Sequence, residues 1–119
     1  MAEHNDLGTK GEALAIAYLK KNGYIICDIN YRYLKAEIDI IAQKEDTLVV
    51  VEVKTRSSRD FGLPQDFVSN KKIKLMVMAT DHYVVSKGLD VNVRFDIIAI
   101  IKNNTKFEIE HIKDAFYHF

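Results

Sequence analysis

Between Ala36 and Arg56 the chain reads AEIDIIAQKEDTLVVVEVKTR, two apolar runs that each carry ionisable side chains. Glu37 and Asp39 lie two residues apart in the first run, Glu52 and Lys54 two apart in the second, and residues two apart in a β-strand share a face. If the runs pair as a hairpin with Gln43 opposite Leu48, and Lys44 to Thr47 as the connection, Asp39 falls opposite Glu52 and Glu37 opposite Lys54, with Cβ atoms about 5 Å apart. A register offset by one residue instead sets Asp39 opposite Val51 and sends the acids to opposite sides. In the converging register two carboxylates repel by roughly 3 kcal/mol at an effective dielectric near 20, and burial raises the cost of keeping both ionised. Lys54 offsets part of this, and a divalent cation such as Mg²⁺, which takes one or two carboxylates with waters and a substrate phosphate, would complete the site. Such an ion suits phosphodiester hydrolysis, with Lys54 orienting the attacking water or offsetting charge on the phosphorus. The same residues also permit a plain surface ion pair worth well under 1 kcal/mol.

The surrounding pattern predicts the elements that would position these groups. Residues 7–22 read as a helix capped by Asn5 or Asp6 and closed by Gly23, with Gly8, Gly11 or Glu12, Ala15, Ile16 and Leu19 on one stripe. Glu12 therefore lies on the face turned toward the core. Tyr24–Arg32 reads as a strand toward a sheet edge, followed by the hairpin strands Ala36–Ala42 and Leu48–Thr55. SRDFGLPQD reads as a loop, and Ser69 as the cap of a second helix over Asn70–Ser86. VRFDIIAII reads as a buried strand and KFEIEHI as a half-buried one. The order helix, three strands, helix, two strands predicts one α/β domain, spanning residues 1–119, with the hairpin sandwiched between the helices.

With 119 residues the chain can bury one core. Seventeen basic residues balance seventeen acidic ones, so a polyanion would have to be held by a local patch, such as Lys54, Arg56 and Arg59 or Lys71, Lys72 and Lys74. No apolar run is long enough to span a bilayer and the N-terminal residues lack signal-peptide order, which predicts a cytoplasmic protein that meets no membrane. Cys27 is the only cysteine and is expected to be a small buried thiol. His4, His82, His111 and His118 show no metal-ligand spacing and are expected at the surface. Tyr31 and Tyr33 could stack on unpaired bases, but packing is the simpler expectation for strand aromatics.

Asp39 followed by Glu52-Val53-Lys54 across a turn resembles the Asp...(Asp/Glu)-x-Lys signature of the restriction-endonuclease-like nuclease superfamily. LGTKGEALAIAYLKKNGY, NYR, AEIDIIA, VVVEVKTR, GLPQDFVSNKKIKL and RFDIIAI together resemble the bacterial YraN-like family, whose members are similar to archaeal Holliday junction resolvases. Ala36 stands where that family usually has glycine, and Asp66 and Phe67 where it has Glu-Ala. The resemblance implies a central mixed sheet flanked by helices, with a three-stranded antiparallel meander between them. It implies Asp39 and Glu52 as ligands of Mg²⁺ or Mn²⁺, Lys54 as the catalytic lysine, Glu12 as a further acid reaching the metal from the first helix, and Glu37 as a supporting acid. Arg56, Lys71 and Lys72 would contact nucleic acid. The expected activity is cleavage of DNA, branched DNA among the substrates, by a chain that could act as a homodimer because a junction has two-fold symmetry. A catalytically silent module binding nucleic acid or a partner on the same fold is the alternative, and an interaction protein whose acids merely form ion pairs is the third reading.

Overall fold

The computed structural model describes residues 6–57 and 68–116. The elements are α1 (Asp6–Lys21), β1 (Ile25–Tyr33), β2 (Ala36–Lys44), β3 (Thr47–Arg56), α2 (Asn70–Ser86), β4 (Asn92–Asn103) and β5 (Lys106–Ile112). The five strands form one sheet in chain order; β1, β2 and β3 make an antiparallel meander, β3 and β4 run parallel, and β4 and β5 close an antiparallel hairpin. This is the order of helix, meander, helix and two strands that the sequence pattern predicts.

Strand alternation explains the two cores. Val49 and Val51 of β3 lie with Ile98 and Ile100 of β4 against Ala15 and Leu19 of α1. Leu48 and Val50 lie with Phe95 against Met76, Ala79 and Tyr83 of α2. Burial on both faces is why β3 and β4 read as continuous apolar runs. Gly23, with φ of 88°, closes α1 in the left-handed conformation that glycine adopts without strain. Ser69 caps α2 by accepting a hydrogen bond from the Lys72 N–H.

Tyr31 packs edge-on against Tyr83, as expected of a strand aromatic, whereas Tyr33 stacks on the exposed His82. Cys27 departs from expectation: it is exposed, because β1 is an edge strand that turns part of its side chains to solvent. No helix among the described residues is long and apolar enough to cross a membrane. Asn5, His4, Arg59, Asp66, Phe67, His118 and the SRDFGLPQD segment lie outside the described residues.

Candidate active site

The hairpin takes the register that brings Asp39 and Glu52 together. Gln43 pairs with Leu48 and Ile40 with Val51, and Lys44 also pairs with Thr47, so the connection shrinks to Glu45-Asp46. A left-handed Glu45 (φ 56°) makes that tight turn possible. Beyond Ile40 and Val51 the ladder stops, and Asp39 Oδ2 accepts a hydrogen bond of 2.8 Å from the Val53 N–H. The Asp39 side chain thus satisfies a backbone donor at the point where β2 and β3 fork apart.

The fork corrects one expectation about Glu37. It does not pair with Lys54, because the β2–β3 ladder has ended before it is reached. Glu37 instead faces Arg32 across β1 at 3.4 Å, with both side chains largely exposed, and it lines a neighbouring cavity rather than the cleft that holds Asp39 and Glu52.

That cleft, of about 400 Å³, is lined by Glu12, Asp39, Glu52, Lys54, Arg56 and Lys72 among others. Four elements supply them, β2 contributing Asp39. β3 carries Glu52 on the α2 face, in phase with Leu48 and Val50, and Lys54 follows one pleat later. α1 brings Glu12 because its backbone approaches β3 closely at Gly11, where a Cβ would stand 2.0 Å from Thr55 Oγ1. α2 brings Lys72 from its first turn. Lys71, one residue earlier, is exposed and borders the neighbouring cavity instead of the cleft.

The charges are closely interlocked. The Glu52 side chain is only 2% exposed; its Oε2 lies 2.6 Å from Lys72 Nζ and 3.5 Å from Lys54 Nζ. Glu52 Oε1 is buried and receives no hydrogen bond among the described residues. Burial, the Glu52 charge and a hydrogen bond with Glu52 push the Asp39 carboxyl up to about 7, against the Val53 N–H and the Lys72 charge. Glu12 is also raised, first by burial and then by Glu37 and Glu52. For Lys72 burial opposes the charged form, but the hydrogen bond and charge of Glu52, helped by Asp39 and Glu37, leave it raised.

The residues present fit a hard divalent cation in one specific sense. Two carboxyl groups near enough to share a hydrogen bond, one with a buried oxygen that has no partner among the described residues, form the small oxygen donor set that Mg²⁺ or Mn²⁺ would complete with waters and phosphate. No group of three or more His, Cys, Asp or Glu side chains among the described residues forms a ready metal cage, so Glu12 borders the cleft without joining Asp39 and Glu52 in one ligand cluster.

A second polar cluster lies under α1, and sequence reasoning missed it. Asp96 of β4, fully buried, accepts from Arg94 Nε and an Arg94 terminal nitrogen at 2.9 Å each and from the Asp114 N–H at 3.0 Å, and its Oδ2 lies 2.7 Å from His111 Nε2. Tyr18 Oη meets His111 Nδ1 at 3.0 Å, and Arg94 donates to Tyr24 Oη at 2.7 Å. His111 is therefore a nearly buried partner of Asp96, not the surface histidine that its sequence context suggested. The available signal was Arg94-x-Asp96, a charged pair on one face at the entry to an apolar strand.

Comparison with known proteins gives a consistent placement. A UPF0102 protein of Flavobacterium psychrophilum is 61% identical over the full length of both chains, and one of Bacteroides thetaiotaomicron 52% identical over 98% of this chain and 97% of its own. Among solved structures, Hjc, a Holliday junction resolvase of Archaeoglobus fulgidus, aligns at 16% identity and a TM-score of 0.49, covering 89% of this chain and 76% of the resolvase. With a family model matching residues 11–100 and these full-length relatives, the chain belongs to the Uncharacterised protein family UPF0102.

Proposed function

We propose that this protein is a divalent-metal-dependent nuclease that hydrolyses phosphodiester bonds in DNA at the β2–β3 fork. The observation that carries the reading is the convergence of Asp39 and Glu52 in a cleft with Lys54 beside them and a buried Glu52 oxygen without a donor among the described residues. Asp39 and Glu52 would hold Mg²⁺ or Mn²⁺, with Glu12 reaching the cleft from α1. When bound, that ion would polarise a phosphoryl oxygen and lower the pKa of an attacking water. Asp39, fixed by the Val53 N–H, keeps one carboxyl oriented toward the cleft. Lys54, 23% exposed, is placed to offset negative charge growing on phosphorus. Arg56 and Lys72 line the same cleft, and the N-terminal turns of both helices border it, so a phosphate backbone would meet positive charge and helix dipoles together.

Branched DNA is the substrate class that the likeness to junction resolvases suggests, and a two-fold dimer acting in the cytoplasm would match it. The silent-binder reading draws on one specific observation, the lack of a three-ligand cage among the described residues. Cutting assays on four-way junction, flap, duplex and single-stranded DNA in Mn²⁺ separate the two. The nuclease reading expects cleavage that falls by about 10²-fold or more in Lys54→Ala and Asp39→Asn. Salt-sensitive binding of branched DNA without cleavage would leave the binding module.

A further inference from the structure

The cation closest to Glu52 is not the lysine of the Glu-x-Lys motif. Lys72 Nζ sits 2.6 Å from Glu52 Oε2, while Lys54 Nζ, two residues along the same strand, stays at 3.5 Å. Glu52 is 2% exposed, so bulk water cannot take over the role of a counter-ion, and its other oxygen has no donor among the described residues. Lys72 is 38% exposed and reaches inward on a flexible four-carbon stem from the first turn of α2. It also borders the adjoining cavity of about 300 Å³, lined by Lys35, Lys71 and Ser69, so its ammonium can leave Glu52 without moving the helix.

We propose that Lys72 is the resident counter-ion of the Asp39–Glu52 pair, displaced from Glu52 when a divalent cation binds and then free to meet a substrate phosphate. The inference rests on the reading of Asp39 and Glu52 as metal-holding acids. A divalent ion competes with the Lys72 ammonium for the Glu52 carboxylate, whose Oε2 Lys72 already holds, so Lys72 lowers metal affinity below what the two carboxylates would give alone. A phosphate that engages the released ammonium favours the metal-loaded arrangement, and by reciprocity the metal favours phosphate. DNA and metal would therefore bind with positive coupling, and Lys72 acts as a positioning residue that links them.

Calorimetric Mn²⁺ titration of the wild type, Lys72→Met, Lys72→Arg and Lys54→Met tests this. Lys72→Met should bind Mn²⁺ about tenfold tighter or more, Lys72→Arg should stay near the wild type, and Lys54→Met should change less than Lys72→Met. In the wild type, Mn²⁺ should speed acetylation of Lys72 several-fold, read by mass spectrometry, while the exposed Lys20 on the far end of α1 keeps its rate; this arm decides the matter if Lys72→Met fails to fold. Unchanged or weaker Mn²⁺ binding by a folded Lys72→Met, or a Lys72 acetylation rate that Mn²⁺ leaves unchanged or lowers, overturns the proposal. If Asp39→Asn abolishes Mn²⁺ binding while Lys72→Met leaves it unchanged, the metal-site reading stands and this inference alone fails. If neither wild type nor Lys72→Met binds Mn²⁺, both fall.

Discussion

Asp96 and Asp39 are both carboxylates on interior strands of one sheet, and their surroundings treat them in opposite ways. Asp96 is ringed by Arg94, His111 and the Asp114 N–H, whose donors more than offset burial and leave its carboxyl lowered. Asp39 has one backbone donor and the Glu52 carboxyl beside it, and is pushed up to about 7. The first arrangement ties β4, β5 and α1 together. The second holds negative charge in a cleft at a standing cost to stability, which makes sense only if something that arrives later uses it.

The largest expected effect comes from dismantling the satisfied cluster. Asp96→Ala leaves Arg94 and His111 facing a buried gap and should lower unfolding free energy by about 3–5 kcal/mol in urea melts. A loss under 1 kcal/mol would mean that the network contributes little and that the contrast with Asp39 is overdrawn.

The pH profile separates the two acids by sign. Asp39 binds its proton more tightly in the folded chain than in the unfolded one, so its contribution is fully present below pH about 4 and is lost as pH rises through about 7. Asp96, lowered in the folded state, contributes above the ordinary carboxylate pKa and loses that contribution as pH falls through its depressed value. Metal-free Asp39→Asn should therefore exceed the wild type in stability at pH 8 by on the order of 2 kcal/mol, with the gap closing toward pH 4. A variant less stable than the wild type at pH 8 would remove the idea of a strained acid at the fork.

Gly11 seats the helix that serves both regions, presenting Glu12 to the cleft and Tyr18 to His111. Gly11→Ala drives a Cβ to 2.0 Å from Thr55 Oγ1 and should destabilise by about 1–3 kcal/mol. Adding Thr55→Ala should restore part of the loss, since it removes the nearest atom and leaves the Thr55 Cβ position at 3.1 Å. Absence of any rescue would locate the clash elsewhere.

Tyr18→Phe deletes one hydrogen bond at the rim of the satisfied cluster and should cost about 1 kcal/mol. Arg32→Ala removes the exposed partner of Glu37 and should change stability by less than about 0.5 kcal/mol, which calibrates what an ion pair outside both clusters contributes.

Much of the molecule was legible in the residues. The apolar runs of β3 and β4 announced strands covered on both faces, Gly23 and Ser69 marked helix ends, and the Glu52-Val53-Lys54 spacing fixed a shared face. The neighbourhood of each charge was not legible. Glu37 looked like a partner for Lys54 until the ladder ended at Ile40, and His111 looked like a surface residue until β5 carried it over Asp96.

Sequence alone determined the elements, their order and that Glu37 shares a face with Asp39 and Glu52 with Lys54, because backbone periodicity and turn chemistry act over a few neighbouring residues. Only the tertiary structure decided that β2 and β3 fork at Asp39, that Lys72 from α2 stands closer to Glu52 than Lys54 does, and that donors ring Asp96 while Asp39 lies against the Glu52 carboxyl. Electrostatic partnership depends on distances of a few ångströms between elements remote in the chain, and those distances are set by how the helices pack onto the sheet.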